Sequence, residues 1–355
     1  MPGYLTHRET TMSGFACKFA ASTVVLASFL ATSHAGLSAD FYAGKTVIVQ
    51  VPSGSGGTFH VYCQIVAGQI GKHIPGNPKV IIQNMPGAGG AKSASYMMNA
   101  APKNGSIFAM IAPGAITDPL VRKHKYDARQ FAWLGSVAAR PFTIAMWHTA
   151  PFKTIDDMKK APSTIGTNGF ASAGYVIPAF VNVALGTKMK IITGYKSGGE
   201  TNMAIERGEV QGRGNFYSGF TGVRPEWITE KKLTFMLGIG PRHPALKDVP
   251  HLRDLLKPGS IEAKMYDLIE LNFNVGQAFY APPGVEKDKL AILRTAFSAM
   301  LADPALVKDI ERRRVEFQPQ NAEQVERLVI EGFKSAEPEV VKQLKAVLTT
   351  IKGKS

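Results

Sequence analysis

Cysteine is almost missing from this chain: of 355 residues, only Cys17 and Cys63 carry a thiol. Cys17 lies ahead of an apolar stretch that reads as a removable leader, so the rest of the chain holds Cys63 alone. An internal disulfide is therefore excluded, and Cys17 is misplaced for a lipid attachment site. A chain of this length buries enough core to stay folded outside the cytoplasm without a disulfide. Long hydrophobic runs are missing as well. The run FAASTVVLASFLA (Phe19–Ala31) is too short to span a bilayer as a helix. It follows Lys18 and precedes the small residues of Ser33–Ala35, the arrangement of a cleaved secretory signal over residues 1–35, with Met12 as a second candidate start. The expectation is an exported protein that is not embedded in the membrane.

The motifs of most chemistries are also absent. No HExxH pair and no Cys–His spacing marks a metal site. There is no G-x-S-x-G elbow and no Walker pattern. Asp156 and Asp157 open a helix, where negative charge favours the helix dipole. No catalytic residue, metal or cofactor is therefore expected, and an enzyme is not the reading. Acidic charge is scarce: 41 Lys and Arg face 27 Asp and Glu, a net +14 that becomes +13 once Arg8, Lys18 and Glu9 leave with the leader. The excess is spread along the chain without a basic-aromatic motif, which argues against nucleic acid and favours attraction of small anions.

Glycine, by contrast, is plentiful, at 35 residues. KTVIVQVP (Lys45–Pro52) reads as a strand ended by glycines and followed by a helix over Thr58–Lys72. KVIIQNM (Lys79–Met85), PGAGG and a helix to Met98 repeat the pattern, and SIFAMI (Ser106–Ile111) begins it again. Strand, glycine turn and helix at this spacing predict a parallel sheet with helices on its faces. The pattern restarts with FTIAMW (Phe142–Trp147), STIGT (Ser163–Thr167), MKIITGY (Met189–Tyr195) and LTFMLGIG (Leu233–Gly240), and the tail from Val285 is helical. The predicted architecture is α/β with two lobes: residues 40–140 begin lobe one, 141–275 form lobe two, and 276–355 return to lobe one with C-terminal helices. The crossings are placed near Ala139–Phe142 and Phe273–Pro282.

Four glycine-rich loops are candidate anion sites, because N–H groups between a strand end and a helix start are left unpaired at the positive end of the helix. The first, PSGSGGTFH (Pro52–His60), carries Ser53, Gly54, Ser55, Gly56, Gly57 and Thr58. It approaches a dinucleotide fingerprint but has Phe59 where the last glycine belongs, and Gln83 and Asn84 end the next strand where an acid is needed. The second, NMPGAGG (Asn84–Gly90), presents Pro86, Gly87, Ala88 and Gly89. TNGFASAG (Thr167–Gly174) and GYKSGG (Gly194–Gly199) belong to lobe two. A plain tight turn remains the alternative for each loop. Taken together, facing lobes with such loops suit a clamp for an acidic small molecule.

The block GKHIPGNPKVIIQNMPGAGGAKSASYMMNAAPKNG (Gly71–Gly105) closely resembles the extracytoplasmic solute receptors of tripartite tricarboxylate transporters, the TctC or Bug family. The likeness continues through FAWLGS (Phe131–Ser136), GYKSGGETNMAIERGEV (Gly194–Val210), HPALKDVP (His243–Pro250) and FYAPPGVEKDKLAILRTAFSAMLADP (Phe279–Pro304). The resemblance implies a periplasmic-binding-protein-like Venus flytrap in the periplasm. It would close on a small organic carboxylate, aromatic or aliphatic, and deliver it to a permease with a large TctA-like and a small TctB-like subunit. A carboxylate-sensing adaptor for a signalling partner is the alternative. Ser53–Thr58 and Met85–Gly90 correspond to the loops that hold a carboxylate through backbone N–H groups and waters. Thr167–Gly174 and Tyr195–Gly199 correspond to the closing loops, with Thr167, Ser172, Tyr195 and Lys196 as candidate contacts.

Two departures from the family pattern bear on the ligand. His60 stands where members commonly carry the Asp that meets a ligand amino group, and an imidazole suits an anionic or aromatic acid better. Its rival role is to satisfy a backbone carbonyl. Gln211 replaces a frequent Asp, leaving a loop with Arg213 and Asn215 that is more receptive to negative charge; Arg213 is either a ligand contact or a surface or interlobe cation. Ser172 can cap a helix or offer its hydroxyl to a carboxylate. Phe59 and Phe170 can wall the cleft or belong to the core.

Overall fold

The structure, a computed structural model, describes residues 41–55, 58–112, 114–167, 172–195 and 198–349. The leader, Gly56, Gly57, Phe170 and Lys196 lie outside these residues. Two sheets form. Strands β1 (Thr46–Val51), β2 (Lys79–Asn84), β3 (Ile107–Met110), β4 (Ala132–Ser136), β10 (Ala278–Ala281) and β11 (Gln320–Asn321) make the first, in the order β11-β4-β10-β3-β1-β2. Strands β5 (Phe142–Trp147), β6 (Ser163–Gly166), β7 (Met189–Ile192), β8 (Gly212–Phe216) and β9 (Leu233–Ile239) make the second, in the order β7-β6-β8-β5-β9.

The expected parallel sheet is corrected in both cases. The strand–glycine–helix repeats do give parallel neighbours, β2-β1-β3 and β7-β6-β8. However, β10 runs antiparallel between β3 and β4, and β5 runs antiparallel between β8 and β9. β10 follows α7 on the return from the second sheet, and β5 pairs only with strands far later in the chain, so local sequence spacing does not set their direction.

Alternation along β1 explains how the first sheet is covered. Val47, Val49 and Val51 point to a core shared with helix α1 (Thr58–Ile70), helix α8 (Lys287–Leu301) and helix α9 (Pro304–Arg312). Ile48 on the opposite face joins a second core with helix α2 (Ala91–Asn99) and helix α10 (Ala322–Gly332). Burial pushes the Cys63 thiol pKa up, and its Sγ rests 3.7 Å from Met110 Sδ, so this cysteine is a core residue.

The second sheet packs Phe142, Ile144, Met146 and Ile165 against helix α5 (Ala173–Leu185) and helix α7 (Ile261–Val275). Helix α11 (Pro338–Thr349) adds Val340 and Leu344 to this same core. Helix α7 serves both cores: Tyr266, Ile269 and Phe273 belong to the second sheet's cluster, Leu271 and Val275 to the first. Helix α3 (Gly114–Val121) and helix α6 (Gly198–Glu206) complete the frame, as does the short helix α4 (Ile155–Lys160), which starts in a Thr154–Asp157 capping box.

Two chain crossings lie side by side between the sheets. The Val137 N–H donates to Gln277 O at 3.1 Å and the Gln277 N–H to Ala138 O at 2.8 Å. The Arg140 N–H donates to Phe273 O at 2.9 Å, and Ser136 Oγ to Val275 O at 2.8 Å. Gly276 is obligatory here, with φ +59 and a position where a Cβ would fall 2.0 Å from Ala138 O.

Candidate functional site

A cavity of about 380 Å³ opens where the two sheets face each other. Phe59 of α1, Gly89 of the second glycine loop and Ala112 beyond β3 line one side. Ser172, Ala173, Val176 and Ile177 at the start of α5 and Phe216 at the end of β8 line the other. Arg140 on the first crossing and Ile269, Asn272 and Phe273 of α7 complete it. It therefore lies beyond the carboxyl ends of parallel strands, where open α/β sheets leave loop backbone free for a ligand.

The PGAGG loop owes its shape to backbone chirality. Gly87, Ala88, Gly89 and Gly90 all have positive φ, at 145, 46, 63 and 97°. Gly90 cannot be replaced freely, because a Cβ there would sit 2.3 Å from the Ala112 Cβ. Ala88 pays a left-handed strain of order 1 kcal/mol that the flanking structure must hold. The first helical bond in this turn is donated by the Gly90 N–H to Gly87 O at 2.9 Å, so the Ala88 and Gly89 N–H groups precede the bonded ladder.

The predicted residues do not all converge. Gly89 and Ser172 line the cavity; Pro86, Gly87 and Ala88 sit exposed in the loop beside it. Ser53, Gly54 and Ser55 follow β1 and Thr58 opens α1, none of them lining it. His60 does not line it either: its Nδ1 accepts from the Asn84 side-chain amide at 3.2 Å, and that amide also donates to Ser53 O at 2.7 Å. His60 thus helps to tie the first loop to the end of β2. Ser172 takes the N-cap backbone position of α5 without a side-chain cap, and its hydroxyl meets Thr167 Oγ1 at 2.9 Å. Thr167 is buried, and Tyr195 packs among Ala145, Val210 and Trp227.

Arg213 is not on a loop but in β8, the central strand of the second sheet. The segment GRGNF reads as a turn, yet its glycines answer close packing: a Cβ on Gly212 would meet Ala145 O at 2.3 Å, and one on Gly214 would meet Phe142 Cζ at 2.9 Å. Arg213 Nη1 donates to Gly198 O at 2.9 Å and Asn202 Oδ1 at 2.6 Å, bracing the start of α6. Burial lowers its pKa to about 10, so it stays charged at neutral pH.

Arg140 and Phe216 were not among the expected residues. Arg140 is 6% exposed, and its guanidinium lies 3.4 Å from the Phe216 ring centroid and 5.6 Å from that of Phe59. Its Nε is buried without a partner, and its guanidinium makes no hydrogen bond and no ion pair among the described residues. Burial lowers its pKa to about 10, with Glu316 acting from a distance in the opposite direction. Burial raises the pKa of Glu316 itself, whose Oε1 accepts from the Ser218 N–H at 3.1 Å. A buried cation without a close counter-ion costs several kcal/mol, offset here in part by the aromatic face. The signal was available: Arg140 is the one charge in the long apolar stretch Phe131–Trp147, at the expected crossing.

Among the described residues no group of three or more His, Cys, Asp or Glu can hold a metal, and no single helix is long and apolar enough to cross a membrane.

Two mixed α/β sheets joined by paired crossings around a cleft define a two-lobed solute-binding protein. Residues 63–345 match the TctC family, described as the tripartite tricarboxylate transporter family receptor, and the chain belongs to that family. It is 23% identical over 323 residues to a UPF0065 protein in the gbd 5' region of Cupriavidus necator, covering 89% of this chain and 92% of that one. A UPF0065 protein from the TAR-I ttuE-ttuC' intergenic region of Agrobacterium vitis is 26% identical over 48% of this chain; the match spans about half, 51%, of that relative's length. In structure it resembles a TctC solute-binding protein from Polaromonas, with TM-score 0.64, 17% identity, and 87% and 99% of the two chains covered. A protein from R. palustris solved with adipate superposes with TM-score 0.61 and 19% identity, covering 85% and 97%. MatC from Rhodopseudomonas palustris, with bound malate, gives 0.59 and 18%, covering 86% and 99%.

Proposed function

We propose that this protein is the periplasmic receptor of a tripartite tricarboxylate-type transporter and captures a small organic carboxylate for its large and small permease subunits. The observation that carries the reading is the cavity between the sheets, where the left-handed PGAGG loop and the start of α5 face each other. Unpaired loop N–H groups and the positive ends of helices suit a carboxylate with no bond made or broken. The adipate- and malate-bound relatives of the same fold support the ligand class. The net charge of +13 that remains once Arg8, Lys18 and Glu9 leave with the leader favours recruitment of anions at long range.

Capture proceeds by closure. The carboxylate meets Gly89 and its neighbours in the opened cleft; the second lobe then swings about the paired crossings at residues 137–140 and 273–277, bringing Ser172 and α5 over the ligand. Excluding water lowers the local dielectric and strengthens every polar contact made. Thr167 and Arg213 act as braces that hold Ser172 and the start of α6 in place. The test is a thermal-shift screen of refolded, ligand-free protein against carboxylic acids grouped by size and charge. A concentration-dependent rise in Tm with one group is expected; no rise with any acid in a folded sample would refute the reading.

A further inference from the structure

We infer that Arg140 is a direct anchor for the ligand carboxylate and that the cavity selects a monocarboxylate with an apolar body, an aryl or branched alkyl acid. This rests on the proposed receptor function and deepens it. Arg140 is the only cation lining the cavity that is both buried and without a hydrogen bond or ion pair among the described residues. Its guanidinium carbon sits 3.4 Å from the Phe216 ring centroid, a contact that restrains the group and leaves its N–H donors for charge-assisted pairing with a carboxylate. The desolvation is already incurred by the protein, so an incoming anion is strengthened by the same low dielectric that makes the lone cation costly.

The rest of the lining argues for one carboxylate only. Away from Arg140 the walls are Val121, Val176, Ile177, Ile269, Phe273 and Leu344. The polar groups among them are already paired. Asn272 Nδ2 donates to Thr117 Oγ1 at 2.9 Å. Asp118, the single carboxylate in the lining among the described residues, is met by Arg122 and by His124 Nε2 at 2.6 Å. With one carboxylate shared between Arg140 and the N–H groups beside Gly89, a second would have to lie on apolar surface or break the Asp118–Arg122 pair, and burying it unpaired is unfavourable. An apolar body instead gains from covering those walls.

The experiment is calorimetric titration of refolded, ligand-free full protein with benzoate, 4-methylpentanoate, benzamide, adipate and malate. Benzoate or 4-methylpentanoate is expected to bind at least tenfold more tightly than adipate or malate, and benzamide to lose most of the affinity. Arg140→Met should weaken the apolar acids about 10- to 100-fold, the range of a charge-assisted pair, with Arg140→Lys between. Val176→Phe, which fills the apolar end and leaves Arg140 in place, should weaken the apolar acids even if Arg140→Met does not fold. Tighter binding of adipate or malate would overturn this inference while leaving the receptor function standing. So would an Arg140→Met protein that binds benzoate normally, or a Val176→Phe protein with unchanged affinity for the apolar acids. Binding of no acid would overturn both readings.

Discussion

Gly90→Ala tests whether the PGAGG loop is conformationally locked. The added methyl meets two separate obstacles: a backbone at φ +97, and the Ala112 Cβ at 2.3 Å. The left-handed term is of order 1–2 kcal/mol and the overpacking term about 1–3 kcal/mol, so a loss of roughly 2–4 kcal/mol is expected. Ala112→Gly separates them. On its own it should cost about 1 kcal/mol in lost burial and added chain entropy. Combined with Gly90→Ala it opens the crowded side, because the next contacts of the new Cβ are ordinary: Pro52 Cβ at 3.5 Å and Ala112 Cα at 3.6 Å. The double variant should therefore be more stable than the sum of the singles by about 1–2 kcal/mol, with the backbone term remaining. Urea unfolding of the four proteins at one temperature measures this coupling. If Gly90→Ala changes stability by less than about 0.5 kcal/mol, the normal scale for an unconstrained surface change, the argument for a locked loop fails.

Arg213→Met should destabilise by roughly 2–4 kcal/mol, because Gly198 O and Asn202 Oδ1 lose a charged donor; thermal melts check this, and a change within 0.5 kcal/mol would remove its bracing role. Gly276→Ala should lower Tm further than any surface change, since its Cβ would overlap Ala138 O at 2.0 Å and force the crossings apart; an unchanged Tm would show the crossings to be pliable. The Asp303 carboxyl is held at a pKa of about 2, chiefly by the Lys72 side chain, then by the Ala305 N–H, with His73 contributing. A depressed folded pKa gives stability that is present above the ordinary carboxylate value near 4 and is lost as pH falls through about 2. The Tm gap between wild type and Asp303→Asn should thus be widest above pH 4 and shrink towards pH 2; a gap that does not depend on pH would refute the assignment.

Local signals account for much of what was legible. The apolar runs of β1, β2 and β3, each closed by glycine or proline, announced strands because a buried strand is continuous in hydrophobicity and a turn needs special backbone angles. Thr154 and Asp157 marked a helix start that the capping box bears out. The order of the family blocks identified the receptor family that the match over residues 63–345 bears out. Less legible were β8, whose glycines look like a turn until β5 is laid against them, and β10, whose antiparallel direction depends on a return from a distant part of the chain.

Beyond the receptor family, which its blocks identify by resemblance, the sequence by itself determined most of the parallel strands, several of the helices, and that glycine loops would end the first strands. Those properties live in runs of a few residues, where steric backbone rules and hydrophobic periodicity act locally. Only the tertiary structure decided that α7 joins both cores, that His60 bonds Asn84 while Arg213 braces Gly198 and Asn202, and that Arg140 meets Phe59 and Phe216 with no close counter-charge among the described residues. Each of these depends on residues far apart in the chain, and the electrostatic environment of a side chain is set by what is packed around it rather than by what precedes it.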